Sequence, residues 1–513
     1  MCYNYFIAGN IFTTAKEKVM NFSKSRYASY RACPKQCWLK LHKPEEERIS
    51  ADALSRMKAG SEVGKLARGM FGEYALAEVV EDGKQNLPAM IERTRELMAA
   101  NAPVICEAAF SYKGLYCAVD ILKRDGGGWS IYEVKSITEE DDCYIPDVAY
   151  QKYVLEMCGI VVSKVYLVHL NKNYVRNGAL DLQELFRCDD WTDKIKDECA
   201  LTENVLAQAE PFLNGGEPGC FIGKQCLSDP KCTFYDYCFK DIPQLSVFNL
   251  YNFRRKISCF DRGIVSFEDI LNSSEKLTEV QRRQIEFALG GVKSTYIDKQ
   301  RLRHFLSKLS YPLYFLDFET EQTVIPKYDY SSPYDQIPFQ YSLHYIEREG
   351  RELRHKEFLG DSVNDPRRAL AERLTEDIPK GVCVVAYHSP FEKERLKGIA
   401  HIFPDLAEHL LNIRENIVDL KKPFTDGYYY NAAMGSSFSI KSVLPAVFPS
   451  DPELDYHNLE GVHNGSEAMN IYPEIANMPP AEAAKARVNL LKYCALDTFA
   501  MVKLWQKLVE VSK

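Results

Sequence analysis

One short apolar run, Tyr311-Pro-Leu-Tyr-Phe-Leu-Asp317-Phe-Glu319, constrains this chain more than any other stretch. Its aromatic and branched residues have the length and composition of a buried strand. Alternation along a strand places Asp317 and Glu319 on one face, two residues apart. Near the C-terminus, residues 489–511 carry helical periodicity, so Tyr493 and Asp497 stack i, i+4 on one helix face. Where such a strand meets such a helix, three carboxylates and a phenol converge. A group of this kind can hold two divalent metal ions, which activate water and stabilise the leaving oxygen in phosphodiester hydrolysis.

These residues resemble the DEDDy branch of the DnaQ-like 3′–5′ exonucleases, which have a ribonuclease H-like fold. The resemblance implies that Asp317, Glu319 and Asp497 ligate Mg²⁺ or Mn²⁺ and that Tyr493 positions the attacking water. It also implies an Asn or His followed four residues later by Asp. After the apolar run 382–386 the chain reads Tyr387-His388-Ser389-Pro390-Phe391-Glu392, so His388 and Glu392 fill those positions, with Glu in place of Asp. The same residues have the pattern of a capping box, with Ser389 at the N-cap, Pro390 at N1 and Glu392 at N3. Glu392 is the preferred fourth carboxylate and Asp419 the fallback. Lys441, in the stretch from Gly435 to Pro445, is a candidate phosphate contact or a solvated surface lysine.

A chain of 513 residues is long enough for two or three domains with well-sized cores. Its net charge of −8 gives no global attraction to nucleic acid, so binding would depend on local basic grooves or on metals that neutralise clustered carboxylates. No apolar run reaches the ~18–20 residues of a membrane span. The stretch from Tyr5 to Phe12 is short, lacks a basic flank and has no clear cleavage site, which argues against a signal peptide. Residues 1–19 look unlike the rest of the chain, and Met20 is an alternative start. The expected location is the cytoplasm. Sixteen cysteines there point to metal binding before disulfides. Cys220, Cys226, Cys232 and Cys238 fall at six-residue steps, whereas most of the others are scattered through apolar segments.

A second acidic constellation lies in the N-terminal half. Residues 104–136 read as three strands, with a turn at Lys113-Gly114 and a four-residue loop, Asp125-Gly-Gly-Gly128. Across that loop, paired residue numbers sum to 253, which sets Asp120 opposite Glu133. Lys135 shares the Glu133 face. Two facing carboxylates repel, and a bound cation removes the penalty. This pattern resembles the PD-(D/E)XK nucleases. The resemblance implies metal ligation by Asp120 and Glu133, water activation by Lys135, and a supporting role for Gln151 on the following helix, with Tyr153 nearby. Glu107 is a weaker additional acid. The motif-one His of many relatives is missing; Glu62 is the nearest substitute.

The opening stretch from Phe22 to Lys35, with Cys33-Pro34, resembles the first helix of the RecB/AddB-like iron–sulfur nucleases. In that group one Cys precedes the nuclease core and three follow it. The resemblance implies a [4Fe–4S] cluster on Cys33, Cys226, Cys232 and Cys238, with Cys37 and Cys220 in reserve. The C-x5-C steps depart from the family's C-x2-C step, and a four-cysteine zinc site is the main competitor.

The expected architecture is α/β. A leader occupies 1–19, an iron–sulfur PD-(D/E)XK restriction-endonuclease-like domain 20–240, a mostly helical connector 241–306, and a DEDDy-type, ribonuclease H-like domain 307–513. Within the connector, 262–271 is similar to a helix-hairpin-helix unit, though a plain connector is preferred. The layout resembles bacterial fusions of an iron–sulfur RecB-like nuclease with a C-terminal domain of unknown function from the ribonuclease H-like superfamily. The implied activity is metal-dependent hydrolysis of DNA or RNA, with 3′ trimming of single-stranded ends by the C-terminal site. The alternative is an iron–sulfur nucleic-acid-binding or redox-sensing protein with one or both nuclease sites inactive.

Overall fold

The computed structural model describes residues 21–228, 231–290 and 295–513, so the leader expected at 1–19 lies outside the described residues. The structure is mixed α/β. The chain divides into two compact units: one runs to Tyr174 and resumes over Leu180–Cys238, and the other takes Val175–Ala179 and Phe239–Lys513. The stretch expected to be a separate connector therefore belongs to the second unit. Its helices are short, and its strand Thr295–Ile297 pairs antiparallel with Tyr429–Asn431. At Phe267–Leu271, Asp269 accepts from the backbone N–H groups of Val265 and Ser266, and Ser266 Oγ accepts from Asp269 N. This capping box uses the amides that a helix-hairpin-helix unit would offer to a phosphate, which favours the plain connector.

The first unit is built on a seven-stranded sheet. Its strands are β1 (Phe22–Ser23), β2 (Ala75–Leu76), β3 (Val104–Tyr112), β4 (Leu115–Asp125), β5 (Gly128–Lys135), β6 (Val162–Leu170) and β7 (Phe186–Asp190). The order is β2-β3-β4-β5-β6-β7, with β1 parallel to the start of β4. Asp125 pairs with Gly128, so the β4–β5 turn is two residues, not the four expected. Gly126 accepts the positive φ of 55° that so tight a turn requires. The numbers of paired residues still sum to 253, from Asp125–Gly128 to Ile121–Tyr132. Four helices supply apolar residues to the same core as Val119, Ile131 and Leu167: α1 (Lys24–Ala32), α2 (Pro34–His42), α3 (Ile145–Met157) and α4 (Lys196–Leu213). The α3 helix is the crossover that makes β5 and β6 parallel.

The second unit carries a five-stranded sheet of β8 (Leu313–Gln322), β9 (Gln336–Ile346), β10 (Arg354–Leu359), β11 (Cys383–Ala386) and β12 (Ile417–Asp419), in the order β10-β9-β8-β11-β12. Central β8 runs antiparallel to β9 and parallel to β11. Its two faces enter different cores. Tyr314, Leu316 and Phe318 pack with residues of α5 (Arg367–Asp377) and α6 (Pro390–Ile402). Leu313 and Phe315 pack with Leu444 of α7 (Ile440–Val447), Tyr472 of α8 (Gly465–Glu474) and the long α9 (Pro480–Ser512). Period-two alternation continues that second face through Asp317 and Glu319. The α9 helix starts with Pro480 at N1, earlier than the periodicity predicts. Among the described residues, no helix is long and apolar enough to cross a membrane.

Candidate metal centres and the cysteine cluster

In the second unit, β8 and α9 bring their acids together. One ligand atom each from Asp317, Glu319 and Cys494 lies within 4.8 Å of the others. A bulge between Glu319 and Thr320 shifts the β8–β9 register by one residue directly after the second acid. Asp497, one turn of α9 from Tyr493, accepts a 2.5 Å hydrogen bond from the Tyr456 hydroxyl. Lys441 Nζ donates to the Tyr493 hydroxyl at 3.1 Å and to the His463 carbonyl at 2.8 Å. Lys441 is therefore half-buried and tied to the phenol, not a solvated surface lysine.

Glu392 joins this group from the first turn of α6, and here the capping-box expectation fails. Ser389 does precede Pro390, but its backbone is already helical (φ −47°, ψ −22°) and its side chain makes no capping bond. Glu392 is instead 2% exposed, and no protein donor reaches its Oε2. His388 is exposed, at a positive φ of 72°, and donates its backbone N–H to Asp419 Oδ1 at 3.0 Å. The same Asp419 oxygen accepts from Lys421 N. Asp419 thus holds the loops beside Glu392 in place, while Glu392 keeps an oxygen with no partner.

The electrostatics follow from this crowding. Burial, then Asp497, Glu319 and Glu392, hold the Asp317 carboxyl well above the usual range. Glu319 is raised in the same way, by burial and then Asp497, with Lys441 opposing. Burial pushes Glu392 up to about 8, with Asp419 adding to the effect. Burial also lifts Asp497 to about 6, against the Tyr456 and Tyr493 hydroxyls and Lys441. Like charges in a buried pocket cannot all ionise without cations. Four acids beside Lys441, one of them with an unpartnered carboxylate oxygen, make a donor set suited to divalent metal ions.

The first unit assembles a different arrangement. Glu107, Asp120 and Glu133 come from the neighbouring strands β3, β4 and β5, although the β4–β5 ladder stops at Ile121–Tyr132, one step before the expected Asp120–Glu133 pair. The β3–β4 ladder passes from Cys106–Ile121 to Ala108–Val119 without a pair at Glu107–Asp120, and Glu107 sits at a positive φ of 56°. A glutamate in that conformation inside a strand is strained, a feature that clusters at functional sites. Arg68 Nη2 donates to Glu107 at 2.8 Å. Asp120 accepts from Val134 N at 2.7 Å, and burial followed by Glu133 raises it to about 7.

Glu133 is fully buried, yet its two lysine neighbours favour its ionised form. Burial opposes its charge, but Lys135 and Lys24 together hold it far below the usual range. Lys135 Nζ lies 2.6 Å from Glu133 Oε1 and also bonds Asp147. Lys24 Nζ reaches both Glu133 oxygens, at 2.9 and 3.2 Å. Gln151 Nε2 donates to Glu133 Oε2 at 2.8 Å, while its buried Oε1 has no partner. Lys24 and Asp147 were not anticipated from the sequence. Asp147 precedes Gln151 by four residues on α3, a spacing that signals a shared face. Lys24 is 109 residues from Glu133 and carries no local signal. Glu62 is exposed.

Two of the expected cysteines meet at the N-terminus of α2. Cys33 is its N-cap, with Sγ accepting from Gln36 N, and Gln36 Nε2 reaches Cys232 Sγ at 3.5 Å. Burial raises the Cys226 thiol, with Cys33 and Cys220 adding, and raises Cys232, with Cys226 and Cys33 adding. Cys238 is pushed to about 12 by burial, Cys220 next and Cys232 among the lesser causes. Cys220 Sγ donates to the Cys238 carbonyl. These thiols are close enough to influence one another electrostatically, but among the described residues no three of them bring their sulfurs within 4.8 Å of one another. Cys37 is buried, with its thiol toward the Arg26 carbonyl.

A family described as a domain of unknown function, DUF2779, matches residues 314–439. That span holds Asp317, Glu319, His388, Glu392 and Asp419, together with the whole of strand β9. It ends before Lys441, Tyr456, Tyr493 and Asp497, so one of the four pocket acids and both phenols lie outside it. No curated protein matches the chain.

Proposed function

We propose that this protein is a metal-dependent nuclease whose C-terminal unit, read as ribonuclease H-like, trims 3′ ends of DNA or RNA in the cytoplasm. The observation that carries the reading is the convergence of Asp317, Glu319, Glu392 and Asp497 beside Lys441. Asp317, Glu319, Glu392 and Asp497 would hold Mg²⁺ or Mn²⁺, which supplies an activated water and charge neutralisation at the leaving oxygen. Tyr493, oriented by Lys441, would fix the attacking water through its hydroxyl. Tyr456 would hold the Asp497 carboxylate in one rotamer. A single-stranded 3′ end fits this role because the reacting phosphate must approach acids recessed beside a helix.

The first unit, read as PD-(D/E)XK-like, supports a second nuclease site on Asp120, Glu133 and Lys135, with Gln151 orienting Glu133. One observation favours a non-cutting variant of it. Lys24 engages both Glu133 oxygens, so the acid already has its countercharge, and the unit would then grip nucleic acid without hydrolysis. Cys33, Cys226, Cys232 and Cys238 would hold a [4Fe–4S] cluster, or zinc in its place. The mutual influence of their thiols supports a shared site, and the cluster, which spaces its thiolates more widely than a single zinc does, is our preferred assignment.

The test is to incubate anaerobically purified protein and its Asp317→Asn variant with Mn²⁺ and end-labelled single- and double-stranded DNA and RNA. Stepwise 3′ shortening by the wild type alone supports the reading. Equal trimming by both proteins overturns the C-terminal assignment.

A further inference from the structure

Cys494 stands among the acids of the C-terminal pocket. Its Sγ lies 3.8 Å from Asp317 Oδ2 and 3.9 Å from the Asp317 carbonyl, and the residue is fully buried. It occupies the α9 position between Tyr493 and Asp497, so one helix face delivers a phenol, a thiol and a carboxylate to the same place. A buried cysteine is usually a small core hydrophobe. Here its neighbours are carboxylates, which an apolar packing role does not require. A second observation points to a ligand: one ligand atom each of Cys494, Asp317 and Glu319 lies within 4.8 Å of the others, and Glu392, which bears on Asp317, is almost fully buried with no hydrogen-bond partner for its Oε2.

We propose that Cys494 is a metal ligand of this centre and gives it a preference for thiophilic divalent ions, such as Zn²⁺ or Co²⁺, over Mg²⁺. The inference rests on reading the acidic pocket as a metal centre. Mg²⁺ is a hard ion that keeps oxygen ligands in near-octahedral geometry. A sulfur among carboxylates instead suits a borderline ion with tetrahedral habits. On coordination the thiol proton leaves to solvent and a sulfur lone pair enters the metal's shell. No electron is transferred, so no oxidant or reductant is needed.

The experiment titrates full-length wild type, Cys494→Ser, Cys494→Ala and Asp317→Asn with Co²⁺, following near-ultraviolet sulfur-to-cobalt charge transfer, and with Zn²⁺ against a chromophoric chelator. The N-terminal cysteines are common to all four proteins and cancel in difference spectra. The expected result is a charge-transfer band in wild type that both Cys494 variants lack. The same variants should bind Zn²⁺ about tenfold to a hundredfold more weakly at this site, with Mg²⁺ binding unchanged. If Cys494→Ser does not fold, the alanine variant carries the same comparison. Identical Co²⁺ spectra in wild type and both Cys494 variants, with loss of bound Co²⁺ only in Asp317→Asn, would mean an oxygen-only centre and overturn the proposal. Unchanged Co²⁺ binding in all four proteins would overturn it together with the metal-centre reading beneath it.

Discussion

Glu392 and Asp317 are the residues whose removal says most. Asp317→Asn takes away the acid on which the influence of all the other pocket carboxylates falls. A loss of a hundredfold or more in 3′ trimming is expected, about 3 kcal/mol of transition-state stabilisation. Tyr493→Phe should cost less, because it removes water positioning and spares the ligands; single-turnover rates on end-labelled oligonucleotides compare the two. The acids also set a pH dependence. Asp497 near 6 and Glu392 near 8 both stand above their usual values, so the folded chain binds more protons than the unfolded chain across that interval. Their contribution to stability is complete below the ordinary carboxylate range and is lost as pH rises through 6 and then 8. Metal-free protein should therefore melt at progressively lower temperature between pH 5 and 8. Added Mn²⁺ should restore most at the alkaline end, because it competes with protons for the same oxygens. Glu392→Gln should raise the metal-free melting temperature at pH 8 and blunt the gain from Mn²⁺. A flat pH profile in chelator would contradict this account.

Elements matter at the next scale because each acid is placed by a different one. In the first unit, α1 carries Lys24 to Glu133, β5 carries Glu133 and Lys135, and α3 carries Asp147 and Gln151. Lys24→Met leaves a buried carboxylate with Lys135 and Gln151 as its remaining partners. Two surviving partners argue for the lower range of such losses, about 1–3 kcal/mol rather than that of a fully stranded charge. The expected outcome is faster amide exchange across β4 and β5, with α9 unaffected. Uniform loss of protection through both units would mean that Lys24 supports more than its own site.

On the scale of the whole molecule, the two candidate sites belong to different compact units and share no ligand. Lys135→Ala should remove any internal or 5′-directed cutting and leave 3′ trimming unchanged, whereas Asp317→Asn should do the reverse. Assayed side by side, either variant that eliminated every activity would show that the sites are coupled or that only one is real. Cys232→Ser should bleach the brown colour expected of the purified protein and loosen the first unit. A cluster on these thiols would tie Cys33 to the distant 226–238 segment and so restrict the unfolded chain. Colourless wild-type protein with stoichiometric zinc and no iron would put zinc at these thiols instead.

Whatever depends on short-range periodicity was legible in the order of the residues. Alternation put Asp317 and Glu319 on one face of β8. Helical spacing stacked Tyr493 and Asp497, and the β4–β5 turn set the register that sums to 253. These patterns are local because a strand repeats every two residues and a helix every 3.6. Which groups answer those acids was a matter of tertiary packing. Lys24 and Tyr456 reach carboxylates far away in sequence. The thiol of Cys494 is core-like by composition and lies among acids by packing. Ser389 and Glu392 match a capping box in sequence, yet burial turns the glutamate inward and leaves one oxygen without a partner. Local pattern fixes the direction of a side chain relative to its own element, whereas its charge state and its partners are set by whichever elements pack against it.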